Sequence, residues 1–261
     1  MVIQSQRDMA GLVKIGKIVG MTLQRMLAEV HPGITTGELD ALGASLLKKE
    51  GAQSAPILMY KFPGWTCISI NDEAAHGIPG KRVIQVGDLV NIDVSAELDG
   101  YYADTAATIA VTPVTGIKQK LAETAHSAME KGISVATAGN KVNEIGRAME
   151  SVVRGAGFSV IRDLPGHGVG RKLHESPSVP GFYNPRLKDV LKEGMVLTVE
   201  PGLYIPPDDK SAPAKYRGIG IRIEDDVLVT EDGNVNLTAS VPKDADEIEA
   251  IMRSASTNGK K

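Results

Sequence analysis

Between Gln4 and Val30 apolar residues recur at steps of two to four: Met9, Leu12, Val13, Ile15, Val19, Met21, Leu23 and Met26. A proline-free stretch of this length predicts a helix packed on several sides, although Gly11, Gly16 and Gly20 weaken its propensity. A second helix has sharper ends. Thr35 and Thr36 can cap its first N–H groups, Glu38 puts negative charge in its first turn, and Gly51 after Lys48, Lys49 and Glu50 stops it. Leu89 to Val94 and Tyr101 to Val111 read as strands flanking Asp99-Gly100, a two-residue hairpin signal. The proline-bearing block from Ile205 to Gly218 reads as a long surface loop, and residues 243–261 as a short C-terminal helix and tail.

The pattern then repeats. Gly33-Ile34-Thr35-Thr36-Gly37-Glu38-Leu39 leads into a helix ending at Gly51. Gly139-Asn140-Lys141-Val142-Asn143-Glu144-Ile145 leads into one ending at Gly157, an offset of 106 residues in both places. Each helix pair precedes a strand-rich stretch with two acidic sites: Asp93 and Asp104 in the first, Glu200 and Glu224 in the second. An internal duplication predicts two structural halves, residues 4–112 and 113–242, forming one domain because the acidic chemistry draws on both. Few identities carry the repeat, so chance similarity is the competing explanation.

Composition narrows the class. The chain has 261 residues, 42% hydrophobic and 23% charged, the make-up of a globular protein with a core large enough to stand without staples. Lys+Arg 29 against Asp+Glu 32 gives a net charge of −3, which argues against stable binding of nucleic acid or anionic membrane. The apolar runs fall short of the roughly 20 residues of a membrane span, and Met1 to Arg7 is too polar for a signal peptide. The single cysteine, Cys67, permits no internal disulfide and fits a reducing compartment. The expectation is a cytoplasmic monomer.

The hairpin has a geometry that can be worked out. With Asp99 and Gly100 as turn residues, Ser95 faces Asp104, so Asp93, two residues earlier, shares a face with Asp104, while Ile92 and Val94 point to the core. On their own, two such aspartates are ordinary solvated residues. Glu200, however, ends the apolar run Met195 to Val199, and Glu224 lies inside Ile221 to Val229. Like charges about 4 Å apart repel by about 4 kcal/mol at an effective dielectric near 20, so four gathered carboxylates take up protons or recruit cations. His167, in Gly166-His167-Gly168-Val169-Gly170, is by itself either a structural loop histidine or a further ligand; His174 follows in Leu173-His174-Glu175-Ser176-Pro177. The glycine-rich run lacks the lysine and hydroxyl residue of a phosphate loop.

Taken in order, these motifs resemble the type I methionine aminopeptidases. The resemblance rests on Phe62-Pro63, Cys67 to Asn71, His76-Gly77-Ile78-Pro79, Asn91-Ile92-Asp93, Asp104-Thr105, the His167 and His174 segments, Thr198-Val199-Glu200-Pro201 and Glu224, and it covers residues 4–242. It implies an α+β pita-bread fold, with two pseudosymmetric αβ halves around a curved antiparallel sheet and two divalent metal ions at its centre. It implies that Asp93, Asp104, His167, Glu200 and Glu224 are the metal ligands, with Asp104 and Glu224 bridging. Oxygen donors with one imidazole suit Mn²⁺, Fe²⁺ or Co²⁺, with Zn²⁺ possible. It also implies that Glu200 moves the proton of the attacking water, that His174 stabilises the oxyanion, and that His76 contacts the scissile amide nitrogen. Met59, Phe62, Cys67 and Leu173 would line the methionine pocket, although apolar residues beside strands are as readily core. The implied partners are peptides with a free N-terminus and nascent chains at the ribosome.

Two features depart from that pattern. Leu173 stands where the family often has an aromatic residue. Pro201 to Pro206 and Gly220-Ile221-Arg222-Ile223-Glu224-Asp225 look more like the Xaa-Pro aminopeptidases and dipeptidases of the same fold, which usually carry an extra N-terminal domain. A proline peptidase is therefore the alternative function. A metal-free binding module of this fold, a third reading, would have lost ligands, whereas all five positions are filled.

Overall fold

The computed structural model describes residues 2–241; the helix and tail expected over residues 243–261 fall outside the described residues. Helix α1 (Gln6–Ala28) starts where the Ser5 hydroxyl accepts from the Asp8 N–H at 3.1 Å. It buries Leu12, Ile15, Val19, Leu23 and Met26 against the N-terminal sheet, while Met9, Val13 and Met21, expected among its packed positions, face outward. The mixed spacing of its apolar residues covers more of the circumference than the core can bury. Helix α2 (Thr36–Lys49) carries the expected cap in reciprocal form. The Thr35 hydroxyl accepts from Glu38 N–H at 3.1 Å and the Glu38 carboxylate from Thr35 N–H at 2.8 Å.

Next come β1 (Gln53–Ser54), α3 (Ala55–Tyr60), β2 (Cys67–Ile70) and the hairpin β3 (Leu89–Leu98) and β4 (Tyr101–Ala110). The hairpin has the expected register, Leu98 opposite Tyr101 through Ser95 opposite Asp104. Its turn residues sit at φ 54° and 80°, the doubly left-handed turn that Asp-Gly favours. Strand β3 is central, with β1 and β2 also paired to it. Ile68, Ile92 and Val94 are buried on the face under α1, each stabilising by about 1.5–3 kcal/mol.

The C-terminal half begins with α4 (Gly116–Ile133) and α5 (Val142–Gly155). α5 lies 106 residues after α2 at both ends, and the flanking glycines match: Gly33 and Gly139 at φ 98° and 88°, Gly51 and Gly157 at 75° and 88°. Even the backbone ties correspond, Gly33 N–H to Ile84 O and Gly139 N–H to Leu191 O, both 2.9 Å. Strands β6 (Gly166–Gly168), β7 (Glu175–Val179), β8 (Val196–Val199), β11 (Asp225–Val229) and β12 (Asn234–Asn236) form an antiparallel sheet in the order β12-β11-β8-β6-β7. β5 (Ser159–Val160), β9 (Gly202–Tyr204) and β10 (Gly220–Arg222) form a small sheet. The Ile205 to Gly218 segment is a connection with one 3₁₀ turn, Ala214–Tyr216.

Two hydrophobic clusters, one under α1 and α2 and one under α4 and α5, sit on either side of these sheets. The halves are joined through backbone. Glu224 N–H donates to Ala106 O at 2.9 Å, the Glu224 carbonyl oxygen accepts from Ala106 N–H at 3.2 Å, and Asn91 Nδ2 donates to Arg222 O at 2.6 Å. Glu224 therefore stands at a break between β10 and β11, not inside one continuous strand.

Candidate metal centre and active site

A cavity of about 500 Å³ opens where the two halves meet. Its acidic floor is delivered by four pieces of backbone. Strand alternation in β3 and β4 turns Asp93 and Asp104 inward. Glu200 follows the last residue of β8, and the Thr198 hydroxyl donates to its Oε1 at 2.9 Å while accepting from His167 N–H at 3.0 Å. Glu224 is fully buried at the β10/β11 break. His167 sits in strand β6 instead of the expected loop, because its glycine neighbours let strands close in. A Cβ on Gly166 would stand 2.6 Å from Thr198 O, and one on Gly168 2.5 Å from Ser176 O.

Asp104, His167 and Glu224 each present a donor atom within 4.8 Å of the others, and His167 Nε2 lies 3.6 Å from Glu200 Oε1. His167 Nδ1 is 3.0 Å from Gly168 O, so Nδ1–H donates there and the Nε2 lone pair faces the acids. Burial pushes the His167 imidazole down to about 3, with His174 adding to the shift. Burial pushes Glu200 up to about 7 against the pull of Arg222, and raises Asp104 and Glu224 well above the carboxylate range, helped by their acidic neighbours. A cluster this reluctant to ionise alone is built for a cation. Among the described residues, Asp93 Oδ1 and Asp104 Oδ1 are buried without a hydrogen-bond partner, and the groups offered to a cation are carboxylate oxygens with one neutral imidazole. That set fits divalent cations of the Mn²⁺, Fe²⁺ and Co²⁺ kind.

Sequence reasoning missed Arg222. The residue is 2% exposed, and its guanidinium donates to Asp93 and Glu224 and reaches Glu200 Oε2 at 3.1 Å. Burial alone would lower its pKa, but Asp93, Glu224, Glu200 and Asp104 together raise it well above the ordinary value. The signal was a charge between Ile221 and Ile223 in an apolar strand, which needs a buried partner.

Phe62, Cys67 and Leu173 line the apolar side of the cavity. Burial and the nearby Asp93 hold the Cys67 thiol well above its usual pKa, which makes it wall material and not a nucleophile. Met59 does not line the cavity. It points to solvent from the last turn of α3, and Tyr60, one residue and about 100° further round, takes the lining position. His76 and His174 stand at the rim, both with pKa lowered, chiefly by burial. A wider cleft of about 730 Å³ shares Asp163 with this cavity, but its Arg154 and Arg162 are committed to Glu150 at 2.9 and 3.8 Å.

This fold and this acidic, histidine-bearing floor define a metallopeptidase. Residues 10–231 match metallopeptidase family M24, and the chain belongs to that family. It is similar to methionine aminopeptidase 2 of Bacillus subtilis (strain 168), with 38% identity over 254 residues, covering 91% of this chain and 99% of the relative. The crystal structure of methionine aminopeptidase from Rickettsia prowazekii superposes with a TM-score of 0.83 at 34% identity, over 91% of this chain and 100% of that one. Aminopeptidase P from E. coli with the inhibitor Pro-Leu also gives a TM-score of 0.83, at 29% identity, over 98% of this chain and 61% of that one.

Proposed function

We propose that this protein is a metal-dependent aminopeptidase that removes N-terminal methionine from peptides and nascent chains with a small second residue. The observation that carries it is the meeting of Asp104, His167 and Glu224, from both halves of the chain, beneath an apolar slot walled by Phe62, Cys67 and Leu173. Residues 1–261 act as one catalytic domain in this reading, since neither half holds the site alone.

Asp93, Asp104, His167, Glu200 and Glu224 would hold two divalent ions, of Mn, Co, Fe or Zn. Bound cations supply an acidified water and polarise the scissile carbonyl. Four carboxylates and one guanidinium leave three negative charges on the protein side. Two divalent ions overshoot these by one, a charge that an anionic nucleophile or oxyanion balances.

The protein's own groups do the rest. Glu200, at the end of β8 beside His167, accepts the proton of the attacking water and passes it to the leaving amine. His174 donates to the carbonyl oxygen as it turns negative, and His76 holds the scissile amide nitrogen. Phe62, Cys67 and Leu173 enclose an unbranched thioether side chain. A free α-amino group would be taken up by an ion held by these residues, so blocked N-termini are refused and cleavage stops after one residue.

One observation favours a proline peptidase instead: Arg222, within Gly220 to Asp225, grips three carboxylates of the floor. Comparing kcat/KM for Met-Ala-Ser and Leu-Pro-Ser with the same metal separates the two. A preference for Met-Ala-Ser is expected; a preference for Leu-Pro-Ser sinks the methionine assignment and leaves the metal chemistry standing.

A further inference from the structure

The rim of the cavity holds a hydrogen bond that the reaction outlined above does not use: Tyr60 Oη with His174 Nδ1. Tyr60 is the last residue of α3, and Lys61 behind it turns left-handed at φ 55°, so the helix stops where the phenol reaches the rim. The base of this short helix is fixed. The Ser54 hydroxyl accepts from Ile57 N–H at 3.4 Å and donates to Trp65 O at 2.8 Å. On the other side, the His174 ring lies against His167, with centroids 4.0 Å apart and planes at 62°. His174 is thus held between a phenol and the floor of the site.

The chemistry of the partner matters. A neutral imidazole carries one N–H, and what sits at Nδ1 decides which nitrogen bears it. A carbonyl at Nδ1, as His167 has, places the hydrogen on Nδ1. A hydroxyl can donate, which places it on Nε2. Tyr60 keeps its proton, since burial and then Asp104 raise its pKa. The two adjacent histidines therefore need opposite tautomers: His167 offers a lone pair at Nε2, and His174 must offer a hydrogen there.

We propose that Tyr60 is a positioning residue, donating its hydroxyl hydrogen to His174 Nδ1 and so fixing the tautomer whose Nε2–H faces the carbonyl oxygen of the substrate. This rests on the oxyanion role given to His174 above, and its test separates the two. In chelated protein labelled with ¹⁵N-histidine, long-range ¹H–¹⁵N spectra report the protonated nitrogen of each ring, with His174→Ala assigning the signal. Wild type is expected to show His174 protonated at Nε2, and Tyr60→Phe, which loses only the hydroxyl, to shift population towards Nδ1–H. In the metal-loaded enzyme Tyr60→Phe should lower kcat about 10-fold with KM within about twofold, since the interaction strengthens only as charge develops. His174 protonated at Nδ1 in wild type, or an unchanged tautomer in Tyr60→Phe, overturns the proposal whatever the kinetics. A shifted tautomer with unchanged kcat also overturns it, and then the fault lies in the role given to His174.

Discussion

In the N-terminal half, β3 and β4 run ten residues each around a two-residue turn, and regular alternation delivers two inward aspartates. In the C-terminal half, β8 and β11 pair antiparallel over only four residues, and the chain between them leaves the sheet from Glu200 to Glu224. That excursion supplies Glu200 at a strand end, Arg222 on a short strand and Glu224 at a break. Both halves share the same helices and glycine-bounded turns, so the difference lies in where each spends irregular backbone. The regular hairpin makes a stiff floor, and the interrupted partner reaches across it with groups that a continuous strand would have turned away.

The largest effect should come from removing one carboxylate of each kind. Asp104→Asn tests the regular half and Glu224→Gln the irregular one; each should lower kcat/KM by more than about 10³-fold with the fold retained, as for a group acting directly on the transition state. Assays beside circular dichroism check this, and full activity in either variant breaks the claim that both halves serve one site. Arg222→Leu comes next. It leaves the acids of both halves without their guanidinium, and breaking a buried charge network costs about 3–5 kcal/mol. Its melting temperature should fall far more in chelator than with Mn²⁺ present; an equal fall in both would show that Arg222 does not share its partners with a cation.

A pH series sharpens the same point. Glu200 has its folded pKa raised from 4.5 to about 7, so the folded, chelated protein holds a proton that the unfolded chain has released. A group raised in this way contributes stability below its unfolded value and loses it as pH rises through its folded value. His167, lowered to about 3, opposes this only where the unfolded imidazole is charged, at lower pH. From about pH 6.5 to 7.5, where Glu200 titrates in the folded state and the unfolded imidazoles are largely neutral, the chelated protein should lose melting temperature, and saturating Mn²⁺ should suppress the loss. A flat or rising curve in chelator contradicts the shift given to Glu200.

The smallest effect tests the shared part of the two halves. Thr35 caps α2 with Glu38, whereas Lys141, its counterpart, gives α5 no side-chain cap although Glu144 occupies the position of Glu38. Thr35→Ala should cost about 1 kcal/mol, and Lys141→Thr should gain about 0.5 to 1 by completing the missing box. Denaturant midpoints decide it, and no gain from Lys141→Thr would mean that the turn before α5 differs in more than its side chain.

What the sequence made legible follows the same division. The Asp-Gly hairpin, its register and the α2 cap are set by residues within a few positions, and each was readable. The glycine-bounded repeat was readable because the same local turn is made twice. Arg222 was not, since its carboxylate partner Asp93 lies 129 residues away and an arginine between isoleucines does not say which acid it meets. Tyr60 and Met59 were exchanged because both are apolar-bodied neighbours, and only the rotation of a six-residue helix decides which faces the cavity. The break at Glu224 was hidden because Ile221 to Val229 reads as one strand, and it is the pairing with Ala106 that divides it.

The central claim is that acids from both halves hold cations together, and calorimetric titration of the chelated protein with Mn²⁺ at about pH 8 tests it most directly. The account predicts binding of two equivalents in wild type, with the loss of at least one from both Asp104→Asn and Glu224→Gln. Undiminished binding in either variant, or no binding in wild type, would contradict it.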